Sequence, residues 1–101
     1  MGLFGLFGGS SRLTRDEIRA RVAAGAVLVD VRTPAEFASG HAAGARNLPL
    51  QDLPRRMDEL PRDREVIVYC RSGARSSSAL SMLRARGFEK IHDAGALGNV
   101  M

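Results

Sequence analysis

The chain has 101 residues, 45% of them hydrophobic and 26% charged; this fits one small globular domain and excludes a disordered chain. Its net charge of +4 comes from 15 basic and 11 acidic residues. These alternate in sign, and with one tyrosine and no tryptophan nothing marks a nucleic-acid surface. A lone cysteine cannot close an internal disulfide, so the fold does not depend on an oxidising compartment, and a cytoplasmic location is expected.

Residues 1–12 open with MGLFGLFGGSS and are expected to form a flexible apolar tail, suited to docking on a partner or touching a membrane surface weakly. The stretch is too short to span a bilayer and lacks the basic start of a signal peptide. Gly2 fits an acylation motif, but Leu6 stands where serine or threonine is required. No transmembrane segment is expected, and residues 13–101 are read as the folded domain.

Order begins at Leu13. Thr14 and Glu17 form the two halves of a capping box, and Leu13 and Ile18 occupy the hydrophobic-staple positions, so a helix starts here and Gly25 ends it. AVLVDV follows as a valine-rich run, which predicts a strand covered on both faces. Thr33, Pro34 and Glu36 repeat the helix-start signature, closed by Gly40. Gly44–Pro49 predicts a short strand, and Leu53, Met57 and Leu60 recur at helical spacing. EVIVYC is the second strong strand. A helix beginning near Ser76 carries Ala79, Leu80 and Leu83 inward and ends at Gly87. FEKIHD predicts the last strand; Ala94–Met101 has no clear pattern. Helices alternating with short apolar strands predict an α/β fold: a small, mainly parallel sheet with helices on both faces.

Chemistry concentrates in VIVYCRSGARSS. In a parallel sheet ligands bind beyond the carboxyl ends of the strands, and Cys70 falls at such an end. The turn from Arg71 to Ser76 leads into a helix, whose first N–H groups and partial positive charge favour an anion. Gly73 permits a tight curve. Lowering a thiol by two units from its ordinary ~8.5 needs about 2.7 kcal/mol of preference for the thiolate. A helix end supplies only ~0.3–1 kcal/mol when exposed, so loop N–H donors and the guanidiniums of Arg71 and Arg75 are expected to contribute. Ser76 is expected to cap the helix.

Other chemistries lack their residues. His41 and His92 lie far from Cys70 in sequence and give no zinc-ligand spacing, so no metal is expected. His41 is expected to be a hydrogen-bonded structural residue. No phosphate-loop or dinucleotide motif occurs, and no cofactor is expected.

Two separated motifs resemble the rhodanese family. The first is VLVDVRTPAEFASGHAAGARNLPL, through Asp30-Val31-Arg32, Glu36-Phe37, Gly40-His41, Gly44-Ala45, Asn47 and Pro49. The second is VYCRSGARSS, similar to the active-site loop of that family in its cysteine, the arginine after it, Gly73, Arg75 and Ser76. Together they span about Leu13 to Gly95. The resemblance implies a rhodanese-like fold and a thiosulfate sulfurtransferase. Cys70 would be the nucleophile that takes a sulfane sulfur from thiosulfate or a similar small anionic donor, and would pass it as a persulfide to cyanide, a thiol or a protein acceptor. Arg71 and Arg75 would attract and orient the donor; Ser72, Gly73, Ala74 and Ser76 would supply loop amides or hydroxyls. Asp30 and Arg32 would hold the structure beneath the site. The chain has DAGALGN where many single-domain members carry two glycines and an aromatic.

Three alternatives use the same residues. A phosphatase cradle needs arginine six residues after the cysteine, where this chain has Ser76. A rhodanese-like arsenate reductase would share the loop. A non-catalytic or sulfur-carrier module would use the fold chiefly to meet a protein partner.

Overall fold

Local sequence signals set the first elements of the computed structural model, which describes residues 13–101; the expected tail over residues 1–12 lies outside the described residues. In α1 (Arg15–Ala23) the Glu17 N–H donates to Thr14 Oγ1 at 3.1 Å, and the Thr14 N–H donates to Glu17 Oε1 at 2.7 Å. This reciprocal pair satisfies two donors that a helix start leaves unpaired. Leu13 and Ile18 meet in one apolar cluster, as the staple requires. Helix α2 (Pro34–Ala38) starts by the same device on Thr33 and Glu36.

Four strands form one parallel sheet in the order β2-β1-β3-β4: β1 Val27–Asp30, β2 Arg46–Asn47, β3 Val66–Cys70 and β4 Ile91–Ala96. Both central strands are buried at every position. Val27, Val29, Val66, Val68 and Cys70 face one core with Leu53, Met57, Ala79 and Leu83. Leu28, Ile67 and Tyr69 face the other with Ile18, Ala94 and Val100. Each large side chain so covered contributes about 1.5–3 kcal/mol, so uninterrupted apolar strands are stable only between two layers. Helix α1 covers the second core; α3 (Leu53–Arg56) and α4 (Ala74–Ala85) cover the first. The fold is the α/β sandwich that the sequence predicts.

Four expectations need adjustment. The strand expected over Gly44–Pro49 is only Arg46–Asn47, although the Leu48 and Leu50 N–H groups still donate to Asp30 O and Val31 O. Pro49 has no N–H for a longer ladder. The Leu53-Met57-Leu60 segment is not one helix: α3 is flanked by single 3₁₀ turns, yet all three side chains are buried. Helix α4 begins at Ala74, two residues earlier than expected. The last strand begins at Ile91, three residues later than FEKIHD suggests, and runs on through Ala96. Phe88 is held elsewhere: its N–H donates to Leu83 O, the Gly87 N–H donates to Arg84 O, and Gly87 has φ +96°. That is a Schellman ending, completed by Phe88 and Leu83 sharing the core.

β4 continues through glycine by a register shift. Val68 pairs with Asp93, but Tyr69 pairs with Gly95, so Ala94 bulges into the second core. The Gly95 N–H donates to Asp93 Oδ1 at 2.8 Å. The shift lets Cys70 pair with Ala96 and Ser72 bridge the same residue in antiparallel sense. The turn after Cys70 is therefore tied to the neighbouring strand.

Candidate active site

Cys70 ends β3, and its side chain is fully buried. Gly73, with φ +105°, bends the backbone so that its own N–H donates to Cys70 Sγ at 2.9 Å. A residue with Cβ in this left-handed region costs about 1–2 kcal/mol. Gly73→Ala is therefore expected to lower stability by that amount and to move the N–H off the sulfur. Thermal unfolding and the pH dependence of thiol alkylation check both effects.

Gly73 is also the N-cap of α4 and lacks a capping side chain. Ser76, expected as the cap, is instead the third helical residue and is fully buried. Its hydroxyl donates to Gly73 O at 3.0 Å, and the Cys70 thiol donates to Ser76 Oγ at 3.6 Å. When the thiol ionises, the same hydroxyl can turn to donate to sulfur. Burial pushes the Cys70 thiol up. The Ser76 hydroxyl and N–H, with the Gly73 and Ser72 N–H groups, outweigh that push and bring it below its ordinary value. Ser76→Ala is expected to move the midpoint of the alkylation pH profile upward, at about 1 kcal/mol of stability for the lost hydrogen bond. An unmoved midpoint would remove Ser76 from the account of the thiol.

The two arginines that follow Cys70 differ. Arg71 is largely exposed, with its guanidinium 4.0 Å from Glu36. Arg75 is gripped: Nη1 donates to Glu36 Oε1 at 2.7 Å and Nη2 to Oε2 at 3.0 Å. In the sequence Glu36 is the capping-box partner of Thr33 and part of the first motif; its hold on Arg75 spans 39 positions and has no local signal. The Arg75 guanidinium, then the Thr33 N–H, hold the Glu36 carboxyl down at about 2. Ser72 bridges to β4 and Ala74 starts α4.

Beneath the loop, Asp30 and Arg32 form a buried pair. The Arg32 backbone N–H donates to Asp30 Oδ1 at 2.8 Å and Nη2 donates to Oδ2 at 2.7 Å. Nη2 also donates to Gly40 O at 2.7 Å. Asn47 Nδ2 donates to both Asp30 O and Arg32 O, fastening β1 to β2 where the chain leaves the sheet. Burial pushes the Tyr69 phenol up to about 12, and its oxygen accepts the Ala42 N–H at 3.1 Å. His41 is the hydrogen-bonded residue that was expected: Nδ1 pairs with Phe37 O at 2.8 Å and its ring stacks on Phe37 at 3.6 Å.

Two hollows flank the Glu36–Arg75 pair. An apolar cleft of about 520 Å³ is lined by Val31, Leu50, Pro54 and Met82, with Thr33 and Arg75 among its polar lining. A mixed hollow of about 320 Å³ is lined by Arg32, Glu36, Ser39 and Arg71 together with Leu97 and Met101. Among the described residues no cluster of His, Cys, Asp and Glu could hold a metal ion, and no helix is long and apolar enough to cross a membrane.

Comparison with known proteins places most of the chain in one family. The pattern of the rhodanese-like domain matches residues 14–94. A sulfurtransferase of Allochromatium vinosum is 49% identical over 65 residues, covering 64% of this chain and 61% of that protein. The thiosulfate sulfurtransferase GlpE of Stutzerimonas stutzeri is 37% identical over 81 residues, covering 80% of this chain and 74% of its own. The chain thus spans less than two thirds of the Allochromatium protein. The solved human single-domain sulfurtransferase TSTD1 superposes with a TM-score of 0.77 at 26% identity, covering 87% of this chain and 92% of that one.

Proposed function

We propose a sulfur-transfer function from one premise: the chain belongs to the rhodanese-like domain family. The observation that carries it is the Cys70 sulfur, set at a strand end within 2.9 Å of the Gly73 N–H and beside the Ser76 hydroxyl. The N–H and hydroxyl groups around the sulfur suit a small anionic donor such as thiosulfate, and relatives named as sulfurtransferases support the same chemistry.

In the first step the Cys70 thiolate attacks the outer sulfur of thiosulfate. A new S–S bond forms at Cys70, the donor's S–S bond breaks, and sulfite leaves with the electron pair. The product is a persulfide whose terminal sulfur carries the negative charge. The Ser72, Gly73 and Ser76 N–H groups that lower the thiol stabilise that charge as well, in a site where burial strengthens each hydrogen bond. In the second step cyanide, a thiol or a protein thiolate attacks the terminal sulfur and restores the Cys70 thiolate. Sγ is covered in the resting structure, so access requires the Arg71–Ala74 turn to open slightly. Exposed Arg71 attracts the donor to that turn.

A covalent intermediate separates the two half-reactions. Steady-state rates measured against thiosulfate at several cyanide concentrations are therefore expected to give parallel double-reciprocal lines. Lines that intersect would mean both substrates bind before any sulfur moves, and would remove the persulfide from the pathway.

A further inference from the structure

The Glu36–Arg75 pair has a consequence for which sulfur carriers the site accepts. Two cations follow Cys70, Arg71 in the turn and Arg75 in the first turn of α4, and both approach one carboxylate. Glu36 is fixed before it meets either. Its Oε1 accepts the Thr33 N–H at 2.9 Å and the Thr33 hydroxyl at 3.1 Å, as part of the α2 cap. Arg75 then meets it through both terminal nitrogens, at 2.7 and 3.0 Å, the two-pronged geometry that makes arginine–carboxylate pairs strong. The pair is only partly exposed, at 34% for Arg75 and 23% for Glu36, so solvent screens it incompletely. An arriving anion meets one net positive charge in place of two.

We infer that Glu36 is a specificity-determining residue: by engaging Arg75 it weakens the site's preference for doubly charged sulfur donors over weakly charged or neutral ones. The residue positions Arg75 and sets the local charge; it does not touch the sulfur. The flanking apolar cleft is consistent with carriers that have an uncharged body. The inference rests on the sulfur-transfer reading for the identity of the donor, but the charge effect itself can be measured without turnover.

Two readouts test it, on wild type, Glu36→Gln, Arg75→Gln and the double variant. Glutamine retains the capping oxygen. The first readout is the KM for thiosulfate. The second is the ratio of Cys70 alkylation rates by iodoacetate and iodoacetamide, reagents of similar size that differ by one charge. Any change in thiol ionisation or loop opening affects both reagents and cancels in the ratio. Glu36→Gln is expected to lower the thiosulfate KM and raise the ratio by roughly three- to tenfold, the size of one unit charge removed at short range in a partly screened site. The change should be carried by KM more than by kcat. Arg75→Gln should do the reverse, and the double variant should return close to wild type because the pair it removes is neutral overall. An unchanged ratio in Glu36→Gln would overturn the inference. So would a double variant that keeps the raised KM of Arg75→Gln, because Arg75 would then hold the donor directly. A wild-type protein inert toward thiosulfate would sink the sulfur-transfer reading alone; the alkylation ratio would still decide the role of Glu36.

Discussion

Cys70→Ser should fold as the wild type does and reduce thiocyanate formation from thiosulfate and cyanide to background. A hydroxyl is close to the size of the thiol and can still accept from the Gly73 N–H that now meets sulfur at 2.9 Å. Its stability should therefore stay within about 1 kcal/mol of wild type, the scale of one exchanged hydrogen bond. The nucleophile is lost all the same, because an unassisted hydroxyl stays protonated where a cradled thiol ionises. Both histidines are occupied elsewhere: His41 is held on Phe37 and His92 by Glu65 at 2.8 Å. Among the described residues neither histidine is placed to activate a serine. Thermal melts beside a thiocyanate assay separate the two effects, and retained turnover in this variant would remove Cys70 from the chemistry.

Asp30→Ala should be the most destabilising change beneath the site. Asp30 is completely buried, and Arg32 is only 4% exposed. Removing the carboxylate strands a guanidinium that cannot shed its proton, a loss of about 3–5 kcal/mol for a buried pair broken on one side. For a domain of this size that is a fall of roughly 15–30 °C in melting temperature. The damage should extend to the Gly40 turn, whose carbonyl accepts from Arg32. Adding Arg32→Met should recover part of the loss, since removing both charges leaves no stranded ion. A drop of less than about 1 kcal/mol in Asp30→Ala would mean that Arg32 reaches water, against its burial here.

Much of this arrangement could be read from the chain because its signals are local. Thr14 with Glu17 and Thr33 with Glu36 mark both helix starts within four residues, and the unbroken runs around Val29 and Val68 mark strands buried on both faces. The two motifs around Asp30 and Cys70 pointed to the family. Signals failed where structure comes from distant partners or from backbone geometry. The Glu36–Arg75 bridge joins residues from separate motifs, and nothing near either position indicates the other. The start of α4 at Ala74 depends on the positive φ of Gly73, which supplies no side chain to recognise. β4 extends past Asp93 only because a bulge at Ala94 restores its register with Tyr69 and Cys70, so neither period two nor period 3.6 appears there.

The central claim is that Cys70 carries a sulfur atom as a covalent persulfide. The most direct test is the intact mass of the reduced protein after incubation with thiosulfate, with Cys70→Ser alongside and cyanide added afterwards. The account predicts that the wild type alone gains the mass of one sulfur atom, and that cyanide removes it with release of an equal amount of thiocyanate. A wild-type mass that does not change while its thiol is demonstrably reduced, or an equal gain in Cys70→Ser, would contradict it.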